Sequence, residues 1–376
     1  MSWDEHLSME EEFHSKGEKK WSRKERKLAV ENDRSKYKQS DQEQRKKNEK
    51  QIDYNQSSFT KGQVLGINPE GIFVSTQGSQ WICQLKGSLK QEKNKLKNLV
   101  AVGDFVLFEP KDHNTGSICH ILPRRSILSR ADNLSRRKEQ LIAVNIDQVI
   151  ITCSVMMPAI KPHLIDRYII AAIKGNMTPI VVINKVDLLK DPPLDVDPVM
   201  LEVETHMYNE FLKAYAKLGV TTISVSTRTN EGMDLLKKVM QGKTSVFSGQ
   251  SGVGKSSLIN AVTGSSLKTG GVVTKTNKGS HTTSSTHLIA IESGGFCIDT
   301  PGIKSFGVWD LKPEDLKQYY PEFAEFAKNC QFPNCAHLNE PQCGVKQAVD
   351  ENHISELRFA SYCALMANLY EEHRHR

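Results

Sequence analysis

The spacing of apolar residues changes character three times along the chain. Through about residue 56 it follows no period, and no stretch presents a face that could bury itself. Over residues 59–130, apolar and polar positions alternate in short runs at 62–66, 71–75, 80–85, 103–108 and 116–122, separated by turn residues. A period of two turns one face of each strand inward, so these five runs predict a small closed β-barrel, of OB or SH3-like type. Over residues 145–307, continuous apolar runs alternate with helically spaced segments, the pattern of a parallel sheet covered on its faces by helices. Strands are predicted at 146–152, 179–183, 221–225 and 244–247, helices at 163–173, 200–218, 233–240 and 255–262, and a hairpin at 286–291 and 295–298 that turns at Ser293-Gly294. Apolar spacing over 357–370 suits a closing helix.

Composition sharpens this picture at a few points. A chain of 376 residues exceeds one ordinary core and calls for two or three domains. Its longest apolar runs fall far below the ~20 residues of a membrane helix. The start, Met1-Ser2-Trp3-Asp4-Glu5, is acidic and no apolar stretch follows, so the expectation is a cytoplasmic protein without membrane contact. The net charge of +6 is unevenly spread: residues 1–18 hold six acids and one lysine, residues 19–50 thirteen Lys or Arg against six acids. That arm is either a solvating tail or a phosphate-binding one. Lys86, Lys90, Lys93, Lys95 and Lys97 lie between barrel strands, and Arg124, Arg125, Arg130, Arg136, Arg137 and Lys138 follow the last. Basic loops on a barrel suit RNA. Of the eight cysteines, Cys83, Cys119, Cys153, Cys297 and Cys363 stand in apolar surroundings as core fillers, and three crowd into one polar segment.

The chemistry begins at Gly249-Gln250-Ser251-Gly252-Val253-Gly254-Lys255-Ser256, which fits GxxxxGK[ST] between a predicted strand and a predicted helix. Backbone N–H groups of such a loop point at phosphate oxygens, Lys255 would bridge the β- and γ-phosphates, and the Ser256 hydroxyl would bind Mg²⁺. Asn184-Lys185-Val186-Asp187 ends another strand. A carboxylate there can accept from both N1–H and the 2-amino group of guanine, a pair that adenine cannot offer, so GTP and GDP are the expected ligands. Asn184 would tie the base loop to the phosphate loop, the Lys185 stem would lie over the base, and Ser226-Thr227 would supply a backbone N–H for the guanine O6. Asp299-Thr300-Pro301-Gly302 adds an Asp for Mg²⁺ and, at Gly302, an N–H for the γ-phosphate; Thr282 or Thr283 would complete the metal shell. Because the base loop precedes the phosphate loop, the usual GTPase order is circularly permuted. Ile303 follows the DxxG element where many GTPases carry a water-orienting Gln, which leaves His281 as the nearest candidate for positioning the attacking water. Finally, Cys330, Cys335, His337 and Cys343 offer three thiolates and one imidazole in fourteen residues, the donor set of one closed structural zinc site per chain.

Together these residues resemble the RsgA/YjeQ family of ribosome small-subunit-dependent GTPases, from about residue 59 onward: the barrel, Asn145-Ile146-Asp147-Gln148, NKVD, the run through Ser257, HTT, DTPG and the cysteine and histidine spacing. The resemblance implies a multidomain chain with a small OB-type β-barrel (57–130), a circularly permuted α/β P-loop GTPase domain (131–308) and a C-terminal zinc-binding helical domain (309–376); the charged arm (1–56) is longer than the family pattern, and its role does not carry over. It implies GTP hydrolysis in late maturation of the small ribosomal subunit and favours His281 as a catalytic residue; beyond the resemblance, the expectation is that Lys255 joins His281 in catalysis and that the chain binds the subunit and its rRNA, is released on hydrolysis and acts as a monomer. A GTP-dependent switch acting on a protein partner is the alternative of a different class, separated by whether ribosomal subunits stimulate turnover. A plain RNA-binding protein with a degenerate nucleotide site is disfavoured by the intact Lys255, Ser256, Asp187 and Asp299.

Overall fold

The computed structural model describes residues 59–76, 79–90, 99–131, 139–264, 287–299 and 311–374. Strands β1 (Thr60–Asn68), β2 (Gly71–Thr76), β3 (Ser79–Leu85), β4 (Phe105–Lys111) and β5 (Thr115–Ile121) carry the alternation, sending Val64, Ile72, Val74, Cys83, Val106, Phe108 and Ile118 into one core. Asn68 sets the first turn, its Oδ1 accepting from the N–H groups of Glu70 (3.1 Å) and Gly71 (3.2 Å). β1 pairs antiparallel with both β2 and β4, and β3 runs parallel to β5. The closed order β1-β2-β3-β5-β4-β1 makes the barrel OB-like, because a parallel β3–β5 pair is reached only by the crossover of a Greek key.

A feature that the periodicity did not reveal follows: β6 (Ile127–Ala131) and β7 (Glu139–Val144) form a separate antiparallel hairpin. The basic residues preceding it are not all surface. Arg124 donates from Nε to Asp104 Oδ1 (2.7 Å) and from Nη2 to Leu99 O (2.8 Å), and Asp104 is fully buried. Arg124 therefore ties the barrel rim together and is withdrawn from any RNA-facing surface, whereas Arg125 stays 66% exposed beside Asp147. Asn145-Ile146-Asp147-Gln148 proves to be a joint. Asn145 adopts a left-handed backbone, donates from Nδ2 to Gly103 O (2.9 Å) and accepts from Arg125 N (2.9 Å). Asp147 accepts from Thr244 N (2.8 Å), and Gln148 donates to Val239 O (3.2 Å) and Ser245 Oγ (3.0 Å).

Beyond this joint lies the parallel sheet: β8 (Gln148–Ser154), β9 (Thr178–Asn184), β10 (Thr221–Ser224), β11 (Thr244–Gly249) and β13 (Phe296–Asp299) in the order β10-β9-β8-β11-β13, with β12 (His287–Ala290) antiparallel at the edge and paired to β1 of the barrel. β8 is buried along its whole length. Its Val149, Ile151 and Cys153 join one layer with α1 (Pro162–Lys174) and α2 (Pro198–Lys217), and its Ile150 joins the other with α3 (Met233–Met240) and α4 (Lys255–Thr263). Each such apolar side chain contributes about 1.5–3 kcal/mol on burial, which anchors the centre of the sheet between its two helical layers. α2 starts where sequence chemistry dictates: Asp197 accepts from Val199 N (2.9 Å) and Pro198 takes the first helical position.

The C-terminal part is a cap of short turns, Pro313–Leu316, Lys317–Tyr319, Pro321–Phe323 and Phe326–Asn329, closed by α5 (Gly344–Asp350) and α6 (Glu356–Arg374) around Leu316, Tyr320, Phe323, Val345, Tyr362 and Leu365. α5 was not legible as a helix, since its seven residues span too few turns to show a period. Of the five cysteines read as core fillers, four are buried and Cys363 is half-buried. Among the described residues, no helix is long and apolar enough to cross a membrane.

Candidate functional site

β9 and β11 both pair with β8 in parallel, so the base-loop and phosphate-loop sequences emerge at the carboxyl ends of the two strands that flank β8, despite their permuted order. The phosphate loop leaves β11 at Gly249, whose φ of 144° and whose distance of 2.0 Å from a built Cβ to Thr152 O exclude any side chain. It enters α4 through Gly254, at φ 93°, where a Cβ would stand 2.4 Å from Asn184 Nδ2. The second glycine thus permits the contact that joins the two loops: Asn184 Nδ2 donates to Val253 O (2.9 Å). Lys255 reaches back across the loop, its Nζ donating to Gly249 O (2.7 Å) and Gln250 O (2.6 Å), and burial lowers its pKa. Ser251, Gly252 and Ser256 are exposed at the mouth, Ser257 is half-buried beside them, and Val253 is buried as the loop's anchor.

In the base loop, Lys185 takes a left-handed conformation (φ 64°) and Val186–Leu189 form a single 3-10 turn. Val186 N donates to Val225 O (3.3 Å), which seats the turn on the end of β10. Asp187 is 7% exposed, and its Oδ1 accepts from Ser226 Oγ (2.6 Å). The Ser226 hydroxyl in turn accepts from the N–H groups of Arg228 and Thr229 (3.2 Å each), so its proton is committed to Asp187 and the carboxylate is held at a fixed angle. The Ser226 N–H donates to Glu231 O (2.9 Å). Of the pair Ser226-Thr227, only Thr227 therefore has a main-chain donor to offer a base. Lys185 Nζ donates to Met157 O, and burial lowers its pKa against the pull of Asp187.

One residue at this site escaped sequence reasoning. Arg228 places Nη1 3.7 Å from Asp187 Oδ2 and Nη2 2.7 Å from Asp191 Oδ2. Its only signal was a cation directly after Ser226-Thr227. Asp299 ends β13, next to β11 in the sheet. His281, Thr282, Thr283 and Gly302 lie outside the described residues.

The cap brings Cys330, Cys335, His337 and Cys343 together, one ligand atom of each within 4.8 Å of the others. Cys330 Sγ stands 3.8 Å from Cys343 Sγ and 3.6 Å from His337 Nδ1, and His337 Nδ1 stands 3.4 Å from Cys343 Sγ. A tetrahedron with metal–sulfur bonds of ~2.3 Å and a metal–nitrogen bond of ~2.0–2.1 Å has edges of about 3.8 and 3.5 Å, so the Cys330, His337 and Cys343 atoms have the spacing of a tetrahedral site, with Cys335 Sγ within 4.8 Å of each. Glu340 shapes the turn, accepting from Ala336 N (2.6 Å) and Leu338 N (2.9 Å); burial raises its pKa, but these backbone donors outweigh it and hold the carboxyl below its ordinary range. Burial, with the neighbouring sulfurs adding to it, pushes the Cys335 thiol up to about 12, and burial lowers the pKa of His337. Such thiols become thiolates when a cation sits among them.

With this geometry in view, comparison with known proteins is specific. The RsgA GTPase family profile matches residues 121–309. The small ribosomal subunit biogenesis GTPase RsgA of Chlorobaculum parvum is 38% identical over 320 residues, covering 82% of this chain and 98% of that protein. Its counterpart in Bacteroides fragilis (strain YCH46) is 34% identical over 314 residues, covering 83% and 97%. The crystal structure of YjeQ from Thermotoga maritima superposes with a TM-score of 0.65 at 30% identity, covering 83% of this chain and 99% of that one. YloQ, described as a circularly permuted GTPase, shares the fold at 24% identity with a TM-score of 0.61, over 85% and 98% of the two chains. The profile match, the length over which the relatives align and the permuted arrangement of loops on the sheet agree: this chain belongs to the RsgA GTPase family.

Proposed function

We propose that this chain is a GTP hydrolase that acts in late maturation of the small ribosomal subunit, binds that subunit and its rRNA, and is released when GTP is hydrolysed. The observation that carries the reading is the buried Asp187 carboxylate, oriented by Ser226 and linked through Asn184 to the phosphate loop. One rigid unit then senses both the guanine edge and the phosphates. The relatives named for small ribosomal subunit biogenesis supply the process.

In this reading GTP contacts Asn184, Lys185, Val186 and Asp187, the N–H of Thr227, residues 249–257 and Gly302. Mg²⁺ would be held by Ser256, Asp299 and either Thr282 or Thr283, and when bound it neutralises charge on the β- and γ-phosphates. His281 orients the attacking water. The Cys330, Cys335, His337 and Cys343 set would hold one structural Zn²⁺, a cation whose tetrahedral preference matches the spacing of Cys330, His337 and Cys343. Residues 57–130, 131–308 and 309–376 act as barrel, GTPase and zinc domains of a cytoplasmic monomer, with 1–56 as a charged arm. The test is GTP turnover with and without purified small subunits. Stimulation is the expected result, and a rate indifferent to subunits but raised by a protein partner would replace this reading with that of a protein-directed switch.

A further inference from the structure

Helix α1 is gripped from two sides. On one, Leu164, Ile165 and Tyr168 line a small cavity together with Thr152 and with Gln250 and Val253 of the phosphate loop, so this face of the helix forms one wall of a space whose other wall is the loop. On the other, Ile170 enters the core of the C-terminal cap. One turn before it, Asp166 is 2% exposed and surrounded by donors from three other segments. Tyr215 of α2 donates to Oδ1 (2.6 Å), Tyr320 donates to Oδ2 (3.2 Å), and Ser361 and the Arg358 guanidinium, both on α6, complete the shell. Arg358 is itself 4% exposed; its Nε donates to Glu322 (2.8 Å), and its guanidinium lies over the rings of Tyr320 (4.2 Å) and Tyr215 (5.4 Å).

A buried ion pair is costly to desolvate and is weak evidence of stability, since apolar packing of the same volume would hold the cap as well. What directional bonds add is geometry: they allow one seating of α6 on α1, whereas an apolar contact tolerates sliding. We propose that Asp166 and Arg358 are positioning residues for nucleotide binding, through which the cysteine and histidine cap fixes α1 and α1 fixes the phosphate loop, so that retention of guanine nucleotide depends on the cap being seated. A partner that draws the cap away would then hasten release of GDP. The inference rests on the guanine-nucleotide reading above. By linkage the coupling is reciprocal, and nucleotide must tighten the cap by the factor by which the cap tightens nucleotide.

The test uses the full chain and N-methylanthraniloyl-GDP as probe. D166N/R358Q removes both charges of the pair at once and keeps an amide to meet Tyr215 and Ser361; Glu322 loses its guanidinium partner, but its side chain is 18% exposed and partly open to water. Its expected behaviour is release of the probe about tenfold faster, a higher KM for GTP with little change in kcat, and unchanged metal content. Y362F, which removes a hydroxyl bonded to Ala336 O (2.9 Å) within the cap, should leave release within about twofold of wild type, separating loss of cap stability from loss of the contact to α1. In the wild-type chain, GDP should slow backbone amide exchange along α6, a measurement that decides the matter even where D166N/R358Q fails to fold. Wild-type release by a folded D166N/R358Q, or exchange in α6 that ignores GDP, overturns the coupling. Wild-type chain that takes up no probe would instead overturn the nucleotide reading and this inference with it.

Discussion

At the nucleotide site, Asn184, Asp187 and the 249–255 loop hang from strands whose residues are buried on both faces. In the cap, Cys330, Cys335 and His337 stand on short turns and Cys343 only just precedes the seven-residue α5. The first set is positioned by main-chain geometry that hydrophobic burial of the strands holds in place. The second stands on turns held by the main-chain N–H groups of Ala336 and Leu338 donating to Glu340, and a cation shared by its four side chains would draw it tight. The difference teaches where damage should spread: a substitution at the base loop should remove recognition and spare the fold, whereas one at the cysteines should unfold a region and reach the nucleotide indirectly.

The strongest way to break that contrast is Cys335→Ala. Structural zinc contributes on the order of 10 kcal/mol in small metal-dependent folds, so loss of one thiolate should cost bound metal and unfold the cap, read by metal analysis and limited proteolysis. GDP release should rise about tenfold, the factor assigned above to cap seating, while preference for guanine over adenine persists. A metal-free wild-type cap that remains fully folded would defeat the assignment.

Next in size is His281→Ala. General-base groups contribute typically 10²–10⁴-fold, so turnover stimulated by small subunits should fall by about 100-fold or more with GTP affinity unchanged. Full stimulated turnover in this variant would remove His281 from the chemistry and shift attention to a group supplied by the subunit. For Asp187→Asn the expected loss is about 1–3 kcal/mol of GTP binding, the scale of a charged hydrogen bond, with xanthine nucleotides gaining in compensation and the melting temperature nearly unmoved. Unchanged GTP affinity would show that the carboxylate does not read the base. The smallest effect on the nucleotide is expected from deletion of residues 1–56. Binding to subunits should lose part of its salt dependence while GTP affinity stays the same. An identical salt slope after truncation would leave the arm a solvating tail.

Much of this was legible beforehand because the physics is local. Period-two alternation over 59–130 and continuous apolar runs over 145–307 follow directly from which faces must be buried, and the observed strands depart from the expected ones mainly at their ends. The phosphate loop declares itself by glycines that only one backbone path requires. The hairpin of β6 and β7 did not declare itself, because neither Ile127–Ala131 nor Glu139–Val144 alternates apolar with polar positions, although Asp132, Asn133 and Ser135 between them are turn formers, and Arg124 read as surface because nothing in its neighbourhood reveals that Asp104 lies across the barrel rim.

The sequence by itself determined the layer pattern, the permuted order of the loops and the chemical types at both sites, since each depends on residues close together in the chain. Tertiary structure alone decided what depends on distant pairs. Parallel pairing of β3 with β5 chose the barrel type. The hydroxyl of Ser226, thirty-nine positions from Asp187, orients its carboxylate. Arg358 of α6 reaches Asp166 across nearly two hundred positions, and the two are buried together, because a charge can leave water only where the folded chain has already assembled its partner.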